Sequence, residues 1–412
     1  MYQKRSAAYS RRMLLQKVIG RRTFLVGIAG AIACTASGGN RRAKIATVAV
    51  RDAQLWDGTG TSPRSGMTVA MLRETIIAIG RDEEIDLGRD TTVIDCAGAF
   101  VMPGIIDTHC HVTLTLVGRE PLVAEWLRAG LTTIRDTGTI RQGTFLIRDL
   151  AKELGPAPRI IASGPIITVP GGYPITRPTI GEPISYPITT LDEATQAVNQ
   201  VVDAGADFIK IAVEHGTPGG HLRENVGAPA LNRPQVKAIV AAAHARGVSV
   251  SAHVTNYEEL QIALAGGVDS MAHTPLDEIP TSVLQEMVTK GVTMTSTLNI
   301  WGGRPVVDEA MRNAQRFVAA GGQLAMGTDY PFQAQTGLPV EEMRFMESAG
   351  LTRSQVLLAS TRDAARVCRR DDLGTIELGK RADLIVMQRD PLGDLNNLSS
   401  VSTVIQDGAL IR

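Results

Sequence analysis

The chain has 412 residues, and its 42 lysines and arginines balance 42 aspartates and glutamates, so the formal net charge is zero. A neutral chain with no basic stripe beyond its N-terminus excludes a nucleic-acid-binding protein, and four cysteines without a CxxC pair exclude a disulfide scaffold. The hydrophobic content of 44% is typical of a folded globular chain.

Residues 1–36 have the pattern of an export signal. A basic stretch precedes Arg21-Arg22, and the short apolar run at 24–33 begins almost directly after this pair. The run is too short to span a membrane, and the arginine pair resembles a twin-arginine signal. We therefore expect a periplasmic or otherwise exported protein; a single N-terminal anchor and lipid attachment at Cys34 are the alternatives.

Residues 44–103 carry short segments in which apolar and polar residues alternate, at 46–55, 67–72, 75–79 and 92–94. Turns that contain glycine and aspartate separate them. This pattern predicts β-strands that are buried on one face.

Residues 104–362 predict a (β/α)8 barrel. Eight short apolar segments recur, each followed by a helix-like pattern, at 105–111, 132–136, 159–163, 208–213, 248–253, 270–273, 293–298 and 324–329. Several helices end in a glycine that turns the chain towards the next strand, as at Gly130 and Gly247. Alternating strands and helices form a parallel sheet, and eight such units close it into a barrel.

Residues 363–412 return to the alternating pattern, at 382–387 and 401–405. Two all-β pieces that bracket a barrel most simply meet in one small domain. We therefore expect an α/β fold, a (β/α)8 TIM barrel with a small β-sandwich formed by both chain ends.

Six side chains of the kinds that bind metals fall in or at the ends of the predicted barrel strands: His109, His111, Lys210, His253, His273 and Asp329. The C-terminal strand ends of such a barrel meet on the face where its chemistry takes place. A single histidine in a strand is usually a packed core residue. Four histidines, a lysine and an aspartate that all fall at one barrel face have no comparable explanation. Imidazole and carboxylate groups suit zinc, iron, cobalt or manganese.

Lys210 is an unusual residue for the interior of a barrel strand. A protonated amine beside divalent cations is unfavourable, and a desolvated lysine loses its proton readily. The neutral amine can take up carbon dioxide to form a carbamate (N6-carboxylysine), whose two oxygens can bridge two metals. We therefore expect two divalent metal ions, with zinc as the first candidate.

Three strings resemble the amidohydrolase superfamily: VMPGIIDTHCH at 101–111, GTD at 327–329 and LGTIELGKRADLIV at 373–386. Within it the chain looks most like the branch that contains imidazolonepropionase-like proteins and binuclear Xaa-Pro dipeptidases. The resemblance implies that His109, His111 and Asp329 hold one metal, that His253 and His273 hold the second, and that Lys210 is the bridging carbamate. The string MAHT at 271–274 departs from many relatives, which carry glutamate before the histidine and glycine after it.

The expected activity is hydrolysis of an amide bond in dipeptides or N-acyl amino acids. The metals would acidify a water molecule and polarise the carbonyl, while Asp329 would act as general base and then as general acid. Hydrolysis of cyclic amides, lactones or organophosphate esters at the same centre is an alternative, as is an exported binding protein without catalysis.

Weaker candidates for substrate contacts are His215 and His221, in a glycine-rich segment after the fourth strand, and Tyr257. Solvated loop histidines explain the first two equally well. The segment 168–188, which contains Tyr173, either shapes or covers the pocket. The expected partner is a small amide or peptide; contact with a membrane is expected only through the signal or Cys34, and a homo-oligomer is left open.

Overall fold

The computed structural model describes residues 43–112, 120–139, 144–174, 184–215, 227–331 and 337–412. The predicted export signal, including Cys34, lies outside these residues, and so does His221. In these ranges no helix is both long enough and apolar enough to cross a membrane.

Eight parallel strands form the barrel, in the order in which the sequence predicts them. They are Ile105–Cys110, Leu131–Asp136, Arg159–Ala162, Ile209–Ala212, Val250–His253, Ser270–Met271, Thr293–Thr295 and Leu324–Ala325. The first three pair with one another, and the last five pair with one another in sequence order. Two short strands, Ile166–Thr168 and Ser185–Pro187, extend the second group beside the fourth barrel strand.

Hydrogen bonds join the two groups of strands into a ring. The N–H of Asp207 donates to the carbonyl of Ala162 between the third and fourth strands, over 2.9 Å. The N–H of Thr108 donates to the carbonyl of Met326 between the first and eighth strands, over 3.0 Å. The backbone of the first strand therefore meets that of the eighth, which brings both ends of the strand series to one place.

Helices alternate with the barrel strands. Their bounds are Glu120–Ala129, Thr144–Leu154, Leu191–Asp203, Arg233–Ala245, Tyr257–Gly266, Thr281–Thr289, Val307–Ala319, Val340–Ser348, Arg353–Ala359 and Arg362–Val367, with short 3-10 turns at Asn299–Trp301 and Leu395–Ser400. Capping boxes begin several of them; at Asn256, for example, the side chain accepts from the N–H of Glu259. Gly267 ends the same helix with a φ of 86°, as the glycine pattern predicts.

One end of the barrel interior packs against the helix Arg362–Val367. Ala364 and Val367 lie in an apolar cluster with Ile106 and Phe208 from the barrel strands. Besides apolar side chains the cluster contains Cys368, and the guanidinium carbon of Arg135 lies 3.7 Å from the ring centroid of Phe208.

Both flanks of the barrel share one eight-stranded sheet. Its strands are Val48–Leu55, Arg64–Leu72, Thr75–Arg81, Thr92–Asp95, Phe100–Pro103, Leu384–Met387, Val401–Gln406 and Ala409–Leu410. The strands Phe100–Pro103 and Leu384–Met387 run antiparallel, with Pro103 opposite Leu384. The two regions that carry the alternating pattern therefore meet in one small β domain.

Arg159 connects the third barrel strand to this sheet. Its guanidinium donates to the carboxylates of Asp383 over 2.7 Å and Asp407 over 2.5 Å, and also to the hydroxyl of Thr133 over 2.9 Å. The side chains of Arg159 and Asp383 are 8% and 6% exposed, so this ion pair is buried.

Candidate metal centre

Asp107 ties the ends of the first and eighth barrel strands together. Its carboxylate accepts hydrogen bonds from the N–H of His109, over 3.0 Å, and from the hydroxyl of Thr328, over 2.6 Å. The N–H of Asp329 donates to the carbonyl of His109 over 2.7 Å. These bonds hold His109 and Asp329 next to each other.

The string Gly327-Thr328-Asp329 suits this close approach. A Cβ at Gly327 would lie only 2.8 Å from the Cβ of His109 and 2.5 Å from a methyl group of Thr295, so a larger residue would push the strands apart. Asp329 itself has a φ of 57°, a left-handed conformation that aspartate tolerates better than most residues. The strand therefore ends in a turn that holds the carboxylate of Asp329 at the site.

His109, His111 and Asp329 form one buried group whose potential ligand atoms all lie within 4.8 Å of one another. The carboxylate Oδ1 of Asp329 is 3.3 Å from Nε2 of His109 and 3.1 Å from Nε2 of His111. The Nδ1 atoms face the backbone, 2.7 Å from the carbonyls of Ala272 and Gly138. Since a carbonyl can only accept, each Nδ1 carries the hydrogen, and Nε2 keeps its lone pair for a metal.

Several atoms of this site are buried without a hydrogen-bond partner among the described residues. They include Nε2 of His109, Nε2 of His253 and Oδ1 of Asp329. An unsatisfied buried polar atom costs about 1–3 kcal/mol, so a group of them that face one another suits a site that binds a charged ligand. Imidazole nitrogens and a carboxylate oxygen fit a divalent transition metal.

His253 and His273 extend the group from the fifth and sixth strands. The ring centroid of His273 is 4.6 Å from that of His253 and 4.4 Å from that of His109. Nδ1 of His273 lies 2.9 Å from the hydroxyl of Thr297, which leaves its Nε2 for a ligand. On the other side, the ring of Tyr173 lies against His253, with centroids 4.4 Å apart.

The pKa values of His109 and Asp329 favour the protonation states that a metal requires. Burial, with the charge of Lys210 adding to it, lowers the pKa of His109 to about 3. Burial by itself would raise the pKa of Asp329, but the charge and contact of His109, with the contact of His111, hold it well below the ordinary value. A neutral His109 thus lies beside an ionised Asp329. Burial disfavours the charged form of His111, but its contact with Asp329 and the charge of Asp329 raise its pKa above the ordinary value, so a metal would have to displace a proton there.

Lys210 is 1% exposed on the fourth strand. Burial lowers the pKa of its amine to about 7, the charge of Arg135 acts in the same direction, and Asp329 opposes both. A substantial fraction of this amine is therefore neutral near pH 7, the state in which it could react with carbon dioxide.

Of the weaker candidates, the structure describes His215 and Tyr257. Nδ1 of His215 is 3.1 Å from the carboxylate of Glu259, and the hydroxyl of Tyr257 accepts a hydrogen bond from Gln261 over 2.9 Å. Contact of His215 or Tyr257 with a substrate stays a prediction.

Three neighbours of the histidines were not predicted as site residues: Glu214, Thr297 and Tyr173. Glu214 follows the fourth strand, where the sequence suggests a loop. The alternation of side chains along a strand could have indicated it, because Glu214 is four residues beyond Lys210 and therefore lies on the same face of the strand. No sequence pattern marks Thr297, since threonine is common in strands.

A sequence model described as the amidohydrolase family matches residues 100–411. An uncharacterized protein of Mycobacterium tuberculosis is 26% identical over 334 residues, which cover 73% of this chain and 81% of that protein. An imidazolonepropionase of Alkaliphilus metalliredigens is 22% identical over 402 residues, covering 83% of this chain and 89% of its own.

Among solved structures, a Xaa-Pro dipeptidase with methionine bound in its active site superimposes with a TM-score of 0.75. It is 24% identical, and the match covers 88% of this chain and 99% of that one. At this identity the likeness concerns the fold, and it confirms the predicted class of a TIM barrel with a small β domain. Both names agree with the branch that the sequence motifs predict.

Proposed function

The chain belongs to the amidohydrolase family, and on that premise we propose that it is a metal-dependent hydrolase that cleaves the amide bond of dipeptides or N-acyl amino acids. The observation that carries the proposal is the buried group of His109, His111 and Asp329, in which Nε2 of His109 and Oδ1 of Asp329 have no hydrogen-bond partner among the described residues. A solved relative named as a Xaa-Pro dipeptidase supports the substrate class.

We propose that His109, His111 and Asp329 hold one divalent metal, and that His253 and His273 hold a second. Lys210, as N6-carboxylysine, would supply oxygens to both. Zinc is the first candidate, since it prefers this mixture of nitrogen and oxygen ligands. When bound, such metals supply Lewis acidity to a carbonyl and lower the pKa of water.

Asp329 is the residue that would move the proton. It is held at the site by its left-handed backbone and by the bond from its N–H to His109, so its carboxylate stays in one place. Its depressed pKa keeps the carboxylate ionised and able to accept a proton from the attacking water. The same oxygen would then return the proton to the leaving nitrogen.

The first test is metal content. Protein purified without chelator and reconstituted with zinc and bicarbonate should hold about two equivalents per chain by elemental mass spectrometry. Lys210→Ala should bind less metal if the lysine is carboxylated. Retention of both metal and hydrolysis by this variant would contradict the carbamate.

The second test is a substrate panel. The reconstituted protein is assayed with dipeptides and N-acyl amino acids, and separately with cyclic amides, lactones and organophosphate esters. Release of free amino acids from the first set supports the proposal, and turnover of the second set alone would overturn the substrate class. The exposed His244, which pairs with Asp269 over 2.9 Å, provides a matched control: His244→Asn should leave both metal content and turnover unchanged.

We also propose that the segment at 1–36 directs export. Changing Arg21→Lys and Arg22→Lys together should leave the protein in the cytoplasm of the expressing cells, as followed by cell fractionation. Unchanged export of the double variant would exclude a twin-arginine signal.

A further inference from the structure

We infer that Glu214 is an additional ligand of the metal centre, paired with His253. The inference rests on the proposed metal-dependent function, and it assigns a residue outside the set of six predicted from the sequence. It predicts that the half of the centre around His253 has a carboxylate of its own, as the other half has Asp329.

The pairing of the fourth and fifth strands places Glu214 beside His253. Glu214 is 1% exposed, two residues beyond the end of the fourth strand at Ala212. Ala212 is paired with His253 in the parallel register, and the N–H of Val213 donates to the carbonyl of His253 over 3.1 Å. The strand pairing therefore continues past the last assigned residue and brings Glu214 beside His253.

The pair of Glu214 and His253 has the same geometry as the pair of Asp329 and His109. Oε2 of Glu214 lies 3.3 Å from Nε2 of His253, and Oδ1 of Asp329 lies 3.3 Å from Nε2 of His109. In both pairs the histidine nitrogen is buried and makes no hydrogen bond among the described residues. Since the His109 pair belongs to the group that fits a metal, the His253 pair has the same character.

The side chain of Glu214 is held in position by Thr255. The hydroxyl of Thr255 donates to Oε2 of Glu214 over 2.6 Å. Thr255 is itself fixed, because its N–H donates to the carboxylate of Glu259 over 2.7 Å. An oriented carboxylate loses little freedom when it binds a metal, and a buried negative charge is stabilised by a cation.

As a ligand, Glu214 would change the charge of the centre. Glu214 would lower the net charge of a two-metal centre by one unit, and it would give the second metal an anionic ligand of its own besides the carbamate of Lys210 that both metals would share. Because Glu214 follows the strand, it would lie on the mouth side of Lys210.

The experiment is a cobalt titration of the metal-free full chain in bicarbonate buffer. We compare the unchanged protein with Glu214→Gln, which keeps the size and loses the charge. Bound Co²⁺ is counted by elemental mass spectrometry after gel filtration, and its coordination is followed by visible absorption. We expect two equivalents in the unchanged protein, and one equivalent with an altered spectrum in Glu214→Gln.

Two further variants make the result specific. Thr255→Val removes the hydroxyl that orients Glu214 and should weaken binding of the second equivalent without abolishing it. Asp363→Asn makes the same chemical change on the helix Arg362–Val367, where the carboxylate accepts hydrogen bonds from Arg362 and Arg366, and it should leave cobalt stoichiometry and spectrum unchanged. If Glu214→Gln fails to fold, Thr255→Val carries the test.

Two results would overturn the inference. One is an unchanged spectrum and stoichiometry in both Glu214→Gln and Thr255→Val. The other is retention of both equivalents by Glu214→Gln with roughly 10–100-fold weaker binding, which is the cost of losing a group that only orients a ligand. The readout is independent of turnover, so a chain that binds cobalt as expected but cleaves no amide would contradict the proposed function alone.

Discussion

Two regions of this molecule bury charged side chains, and they do so in opposite ways. Where the barrel meets the sheet, Arg159 has a hydrogen bond to each of Asp383, Asp407 and Thr133. At the metal centre, His109 and Asp329 keep atoms without a partner. Burial of charge is common to both, so burial does not mark the functional site. The site differs in that unsatisfied histidine and carboxylate atoms face one another there, whereas the equally unsatisfied guanidinium of Arg135 lies against the ring of Phe208.

We therefore expect substitutions at the proposed metal centre to reduce turnover, and substitutions in the Arg159 cluster to reduce the free energy of unfolding. The largest effect is expected from Asp329→Asn, which keeps the shape and removes the carboxylate that we propose as the base. We expect kcat/KM for a dipeptide to fall by roughly 10³-fold or more, near the upper range for general acid–base groups. Unfolding in urea should stay cooperative; a variant that keeps most of its turnover would contradict the role of Asp329.

Breaking the other cluster should have the reverse outcome. Arg159→Met removes one partner of a buried ion pair and leaves Asp383 uncompensated, which costs about 3–5 kcal/mol of unfolding free energy. The measurement is a urea unfolding curve, together with kcat of the folded fraction, which should be unchanged. A large loss of kcat in folded protein would mean that the two regions are coupled.

Lys210 should give the metal-free protein a pH-dependent stability. Its pKa is about 7 in the native state against 10.5 in the unfolded chain, so between these values the unfolded chain binds more protons. This contribution makes the native state more stable as the pH rises, by up to about 1.4 kcal/mol per pH unit.

Lys210→Met removes that dependence. We expect the metal-free variant to be more stable than the unchanged protein at pH 7, and the difference to shrink towards pH 10. Urea midpoints at several pH values measure it. Parallel curves for the two proteins would show that Lys210 is protonated in the native state throughout.

A smaller effect is expected at Thr297, which orients His273 without being a ligand. Thr297→Val keeps the branched shape and removes the hydroxyl, so binding of the metal that we propose at His273 should weaken by roughly 10–100-fold. Competition with a metal chelator measures this. Equal metal affinity in both proteins would show that the hydroxyl does not orient the ring.

The smallest effect is expected from an exposed ion pair, which serves as the reference for Arg159. Lys290 and Glu286 lie one helical turn apart, 2.7 Å from nitrogen to oxygen, and both are exposed. Lys290→Ala should change the unfolding free energy by less than about 1 kcal/mol. A loss as large as that of Arg159→Met would remove the distinction between buried and exposed pairs.

The sequence predicts the strand order because the apolar segments are regular and because glycines such as Gly267 mark the helix ends. The clustering of His109 with His273 was also predictable, since all strands of a parallel barrel end on the same face. The Arg159 cluster was not, because Asp383 and Asp407 lie far along the chain and nothing local indicates their partner. Glu214 was missed because strand pairing continues beyond the apolar residues that signal a strand.

The pairing of Pro103 with Leu384 also bears on the order of synthesis. During translation the strand Phe100–Pro103 leaves the ribosome early and waits for nearly the whole barrel before Leu384–Met387 emerges. Until then the nascent chain presents an open strand edge, the type of surface that promotes aggregation. Ribosome-associated chaperones would therefore be needed longest by the strands that precede the barrel.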